Sequence, residues 1–169
     1  MLMDVDNILD ERVDPYDLEK VRDAYETQLR RGSPSAVATF DYAVALIRST
    51  KQDVVEGTNM LEINLLTYQL NSVRNRLVSE LLHLEPDHLS KRDYVYYLAV
   101  ANARLGNYDR ALAYIDILLA AESHNRQATH LRKMIEKRMR RDGLFGLAVF
   151  GGGALLLTGV LAALFAAKK

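Results

Sequence analysis

The chain has 169 residues, 49% of them hydrophobic, enough for one ordinary domain with a core. Its 22 acidic side chains all precede Gly143, against 20 of its 22 basic ones, so that stretch is near −2 and lacks the basic footprint of a nucleic-acid binder. It has no cysteine, which excludes disulfides, thiolate metal sites and a cysteine nucleophile, and fits a reducing compartment such as the cytosol.

Residues 1–13 form an acidic arm with Asp4, Asp6, Asp10 and Glu11, the reverse of a secretory leader or a mitochondrial presequence. Asp14 and Pro15 suit N-cap and first helical position, and open a helix on Leu18, Val21, Tyr25 and Leu29 that Gly32 stops. A second helix follows Ser33 and Pro34 and carries Val37, Phe40, Tyr42, Ala43, Val44, Leu46 and Ile47. A third starts near Asp53, and its apolar stripe continues through Leu66, Leu70, Val73, Leu77, Leu81 and Leu84 to the break at Pro86. Arg92 to Leu105 reads as helix, Gly106 and Asn107 as a turn, Tyr108 to Ala121 as helix, and a last helix begins near Asn125. No segment alternates as a strand does.

From Leu144 to Ala167 the sequence LFGLAVFGGGALLLTGVLAALFAA holds no charge. As helix it spans roughly 36 Å, against about 30 Å of bilayer hydrocarbon, and is expected to cross a membrane. Only Lys168 and Lys169 follow, so insertion is expected after translation, as a tail anchor that leaves residues 14–141 as a cytosol-facing domain. Arg138, Arg140 and Arg141 on the near side, with Lys168 and Lys169 beyond, are the expected targeting charges. Gly151 to Gly153 lie inside the apolar run with no lysine after them, which rules out a phosphate loop. Ala148 with Gly152, and Gly159 with Ala163, are spaced to allow self-association in the membrane.

Chemistry finds no foothold. His83 and His88 are five apart, His124 and His130 six, where two ligands on one helical face need three or four. There is no nucleophile motif and no carboxylate pair in an evident cleft. The chain is read as no enzyme, with no catalytic residue, no metal and no cofactor.

The stretch LAVANARLGNYDRALAYIDILLAAES, Leu98 to Ser123, resembles a tetratricopeptide repeat. Small Ala99 and Ala111 let two antiparallel helices approach, Gly106 turns the chain, and Leu98, Tyr108 and Ile115 fill the seam. Val44, Ala45, Gly57 and Leu61 repeat that spacing in a more degenerate copy. The copies lie 54 residues apart where the repeat period is 34, so about 20 residues near 62–81 are extra. They either lengthen the third helix by roughly five turns or fold as an added hairpin. The expected fold is all-α: a tetratricopeptide-like bundle of about six helices, the outer two as caps, plus one transmembrane helix.

With FDYAVALIRS at Phe40 to Ser49, RDYVYYLAVANARLGNYDRALAYI at Arg92 to Ile115 and DGLFGLAVFGGGAL at Asp142 to Leu155, the chain resembles the mitochondrial fission 1 family of tail-anchored outer-membrane proteins. The resemblance implies an adaptor that recruits a dynamin-related GTPase and its adaptor proteins to mitochondria and peroxisomes. Partners of tetratricopeptide domains bind the concave face, here expected at Tyr42 and Leu46 in the first copy and at Tyr96, Val100 and Ala103 in the second, flanked by Tyr97. That face is apolar and aromatic, which suits an amphipathic or extended segment over a carboxylate clamp. A charge at Tyr97 or Val100 is expected to abolish binding without unfolding. The arm, with Val5, Ile8 and Leu9, is a candidate to lie in the groove, as the family implies. The alternative is a tail-anchored bundle acting on membranes, such as an apoptosis regulator or a SNARE. The Gly and Pro breaks oppose long SNARE heptads, and the absence of Trp opposes the first.

Overall fold

The computed structural model of the chain describes residues 8–82 and 91–143, with side chains at 8–67 and 91–143. The described residues are helical, with no strand among them: α1 Pro15–Arg31, α2 Ala36–Ile47, α3 Lys51–Leu82, α4 Lys91–Arg104, α5 Tyr108–Ala121 and α6 Arg126–Arg141. They fall into two compact units. Among the described residues, one unit is 12–82 with 91–94; the other joins residues 8–11 of the arm to 95–143.

In the first unit the helix ends are fixed by local chemistry. The Asp14 carboxylate accepts from the Tyr16 amide at 2.8 Å with Pro15 following, and Gly32 closes α1 at φ +142°, where a side chain would be strained. Ser35 caps α2 by accepting from the Ala38 amide. At the start of α3, Thr50 Oγ1 accepts from the Asp53 amide at 3.3 Å while the Asp53 carboxylate accepts from the Thr50 amide at 3.2 Å, a reciprocal capping box. The Ser49 hydroxyl adds a second donor to that carboxylate at 2.6 Å, and these bonds hold Asp53 below the usual carboxylate range. Thr50→Ala should therefore cost about 1 kcal/mol, read as a shifted urea midpoint at unchanged slope.

Helix α2 is the buried element of this unit, with Phe40, Tyr42, Ala43, Ala45, Leu46 and Ile47 all inside. Helix α3 answers with Val54, Gly57, Thr58, Leu61, Asn64 and Leu65, one helical face. Asn64 donates to the Ala36 carbonyl at 2.9 Å and pins the α2 start. Gly57 sits where the two helices come closest: a Cβ built there would lie 2.7 Å from the Ala43 carbonyl oxygen and 3.0 Å from Leu46 Cβ. Phe40 meets Tyr94 edge to face at 5.0 Å between centroids, an arrangement ring quadrupoles favour. Of the two expectations for the surplus near 62–81, the structure takes the longer helix: α3 runs 32 residues, roughly 48 Å.

In the second unit α4 ends in a Schellman turn. The Asn107 amide reaches the Asn102 carbonyl at 2.8 Å, the Gly106 amide reaches Ala103 at 3.2 Å, and Gly106 takes φ +82°. That reversal sends α5 back with Tyr108, Ala111, Tyr114, Ile115 and Leu118 buried, and Ala99 and Ala111 are both fully enclosed, as repeat packing requires. Asn125 caps α6 by accepting from the Ala128 amide, and α6 packs on α5 through Ala128, Leu131, Ile135 and Met139. The Tyr108 hydroxyl donates to the Asp142 carboxylate just past the end of α6, which draws the Asp142 carboxyl below its ordinary range. Tyr108→Phe should fray that end, seen as faster amide exchange over the last turn of α6.

Among the described residues no helix is long and apolar enough to cross a membrane. The run 144–167 read as a transmembrane anchor, with Lys168 and Lys169, lies outside the described residues, as do His83 and His88.

Candidate partner-binding site

The residues expected to meet a partner divide between the units. In the first unit Tyr42 and Leu46 are 9% and 2% exposed, and the Tyr42 ring rests on Tyr25 of α1 at 5.2 Å between centroids. Both are thus held by packing. In the second unit Val100 and Ala103 are 0% and 1% exposed, while Tyr96 and Tyr97 are half-buried. The two tyrosines stand edge to face, centroids 5.5 Å apart and planes at 88°. Burial, and then the neighbouring Tyr97 hydroxyl, push the Tyr96 phenol up to about 12, so it stays neutral across the physiological range. A neutral aromatic pair with a polar tip is a surface of the kind interfaces favour.

Burial corrects one expectation. A charge at Val100 would sit fully enclosed, and removing it from water costs fold stability before it costs binding. Tyr97 is the position where a charge can test binding while the helix stays folded.

The N-terminal arm is part of this unit. The Arg104 guanidinium donates to the Glu11 carbonyl at 2.7 Å and to the Ile8 carbonyl at 3.4 Å. Arg104 lies one turn beyond Val100 on α4, so the arm runs beside the face expected to receive a partner. Ile8 and Leu9 are buried, at 6% and 2% exposure, and the exposed Asp10 carboxylate forms an ion pair with Arg138 of α6. That hydrogen bond from Arg138 is the chief reason the Asp10 carboxyl lies below its ordinary value. The pairing is invisible in the sequence, because its partners stand 128 positions apart. Of the other expected targeting charges, Arg141 bonds its neighbour Asp142 at 3.2 Å and Arg140 is exposed. Among the described residues no cluster of acids and histidines has the arrangement of a metal site.

Residues 92–144 match the family model for the Fis1 C-terminal tetratricopeptide repeat. The chain is 45% identical over 168 residues to the FIS1-related protein fis-2 of Caenorhabditis elegans, covering 99% of this chain and all of that one. It is 37% identical over 154 residues to the human mitochondrial fission 1 protein, covering 90% of each. Among solved structures, yeast Fis1 in complex with an Mdv1 fragment containing N-terminal extension and coiled-coil domains superposes with a TM-score of 0.62 at 23% identity, over 80% of this chain and 92% of that one. The solution structure of yeast Fis1 gives 0.59 at 26% identity, over 85% and 86%. The repeats are those of a tetratricopeptide adaptor family with no enzymatic chemistry, and the chain belongs to the mitochondrial fission 1 family.

Proposed function

We propose that the chain is a membrane-held receptor that brings a dynamin-related GTPase, directly or through a coiled-coil adaptor, to the mitochondrial outer membrane and to peroxisomes. The observation that carries this reading is the half-buried Tyr96–Tyr97 pair on α4, whose last turn holds the N-terminal arm through Arg104. An apolar partner segment would displace the arm and take up that surface, with Tyr42 and Leu46 as the first repeat's contribution to partner recognition. The yeast relative bound to a coiled-coil fragment supports a partner of this kind. Residues 144–167 would hold the receptor in the membrane, with Arg138, Arg140, Arg141, Lys168 and Lys169 as its targeting charges and its small residues as a route to self-association.

The test is binding of the full chain, in nanodiscs, to a dynamin-related GTPase and to its coiled-coil adaptor. Tyr97→Glu should weaken the complex at least about tenfold, as loss of an aromatic anchor does, with the melting temperature nearly unchanged. Affinity equal to that of the unsubstituted chain would remove α4 from the interface.

A further inference from the structure

At the turn between α5 and α6 the surface opens into a cleft of about 510 Å³ lined by His124, Arg126, Thr129, His130 and Lys133. None of the five is acidic. Arg126, His130 and Lys133 recur at four and three along α6 and share a face, and His124 joins them from the turn. The neighbouring cation, Arg132, is already committed, to Asp116 at 2.7 Å and Glu136 at 3.0 Å. Arg126 and Lys133 are exposed and form no ion pair among the described residues. The carboxylate of the turn, Glu122, accepts from the Asn125 side-chain amide at 2.8 Å. Thr129 gives its hydroxyl proton to the Asn125 carbonyl at 2.9 Å, so recognition falls to the Arg126 guanidinium, the Lys133 ammonium and the exposed His124 imidazole.

We infer that this cleft binds a phosphate monoester carried by a protein, a phosphoserine or phosphothreonine side chain. Such a group brings nearly two negative charges and three acceptor oxygens to two cations without counter-charges, where a carboxylate brings one. A lipid headgroup has the same chemistry, but position argues against it. The cleft lies at the start of α6, and Thr129 is roughly 18 Å along the helix from Arg141, the end that leads into the apolar run. The cleft thus sits at the opposite end of α6 from the one that continues into that run. A second, phosphorylation-dependent contact of this kind would act apart from the α4 surface.

The test places the full chain in phosphatidylcholine nanodiscs and adds a Gly-Gly-phosphoserine-Gly-Gly peptide or its unphosphorylated form. The readout is the NMR signal of the His124 and His130 rings. Saturable shifts at His124 and His130 are expected, at least about tenfold weaker without the phosphate. Arg126→Gln with Lys133→Gln should weaken binding by a further tenfold or more. Lys137→Gln, on the same helix outside the cleft, should change it less than about twofold. Equal response to both peptides, or indifference to the double substitution, would overturn the inference. So would ring shifts that need no peptide and appear only when phosphatidylserine is added to the nanodisc, which would make the cleft a membrane contact. None of these readouts depends on Tyr97, so this inference and the fission reading can fail separately.

Discussion

Gly57→Ala should lower the stability of the chain by about 1–2 kcal/mol, and Gly57→Val by about 3 kcal/mol, although both replace glycine inside a helix. Two effects oppose each other here. Helix propensity favours alanine over glycine by about 1 kcal/mol. The new Cβ, however, would stand 2.7 Å from the Ala43 carbonyl oxygen, a backbone atom of a buried helix that cannot rotate aside. Leu46 Cβ and Ile47 Cγ1, at 3.0 and 3.1 Å, block the other ways out, so α2 and α3 must separate. Overpacking of this kind costs about 1–3 kcal/mol, and more for a branched side chain. Chemical denaturation of the three forms decides the matter. If Gly57→Ala is instead more stable by about 1 kcal/mol, propensity alone operates and the helices are not in close contact at this point.

The double substitution Ile8→Asp, Leu9→Asp should release the N-terminal arm and raise affinity for the partner about tenfold, whereas Asp10→Asn should do little. Burying two such side chains stabilises the docked arm by at most about 3–6 kcal/mol, an upper bound because the free arm is itself partly collapsed. The Asp10–Arg138 pair is largely in solvent on the acid's side and is worth about 0–1 kcal/mol after screening. Its pH dependence follows from the direction of the shift. A carboxyl lowered in the folded state stabilises above its unfolded pKa near 3.9, and that contribution fades as acid protonates the folded form. The pair is complete at neutral pH, and acid alone should loosen the arm only slightly. Amide exchange at residues 8–11 reports the release directly. If the double variant leaves exchange and affinity unchanged, the arm does not compete with the partner.

Much of the architecture was written locally. Asp14-Pro15, Gly32 and Gly106-Asn107 are cap and turn signals whose effect spans a few residues; α1 begins and ends, α4 ends and α5 begins where those signals stand. The small residues of the two repeat copies, Gly57 and Ala111, also carried their meaning, since a position that must be small says that two backbones meet there. The third helix, expected to start near Asp53, begins at Lys51, where Thr50 caps and Asp53 returns the bond. The apolar stripe of the α3 extension fits helix and hairpin alike; only the chain path to Leu82 distinguishes them.

The partner surface was less legible, for a physical reason. Helical periodicity says which residues share a face but not what covers that face. Val100 and Ala103 share the α4 face with Tyr96, yet they are sealed while the tyrosines keep partial exposure. The arm's hold on Arg104 and Arg138 joins positions more than 90 residues apart, beyond any spacing rule. The cationic cleft has no signature in histidine spacing, since His124 and His130, six apart, do not suit a shared metal on one helical face. The signal for it was the alignment of Arg126, His130 and Lys133 on one helical face.

Imaging the fluorescently tagged full chain beside a version ending at Asp142, with mitochondrial length scored in the same cells, tests the membrane-receptor reading. The full chain should coat mitochondria and change their length while the shortened one is diffuse. A full chain that is cytosolic, or confined to the endoplasmic reticulum with mitochondrial length unchanged, would contradict it.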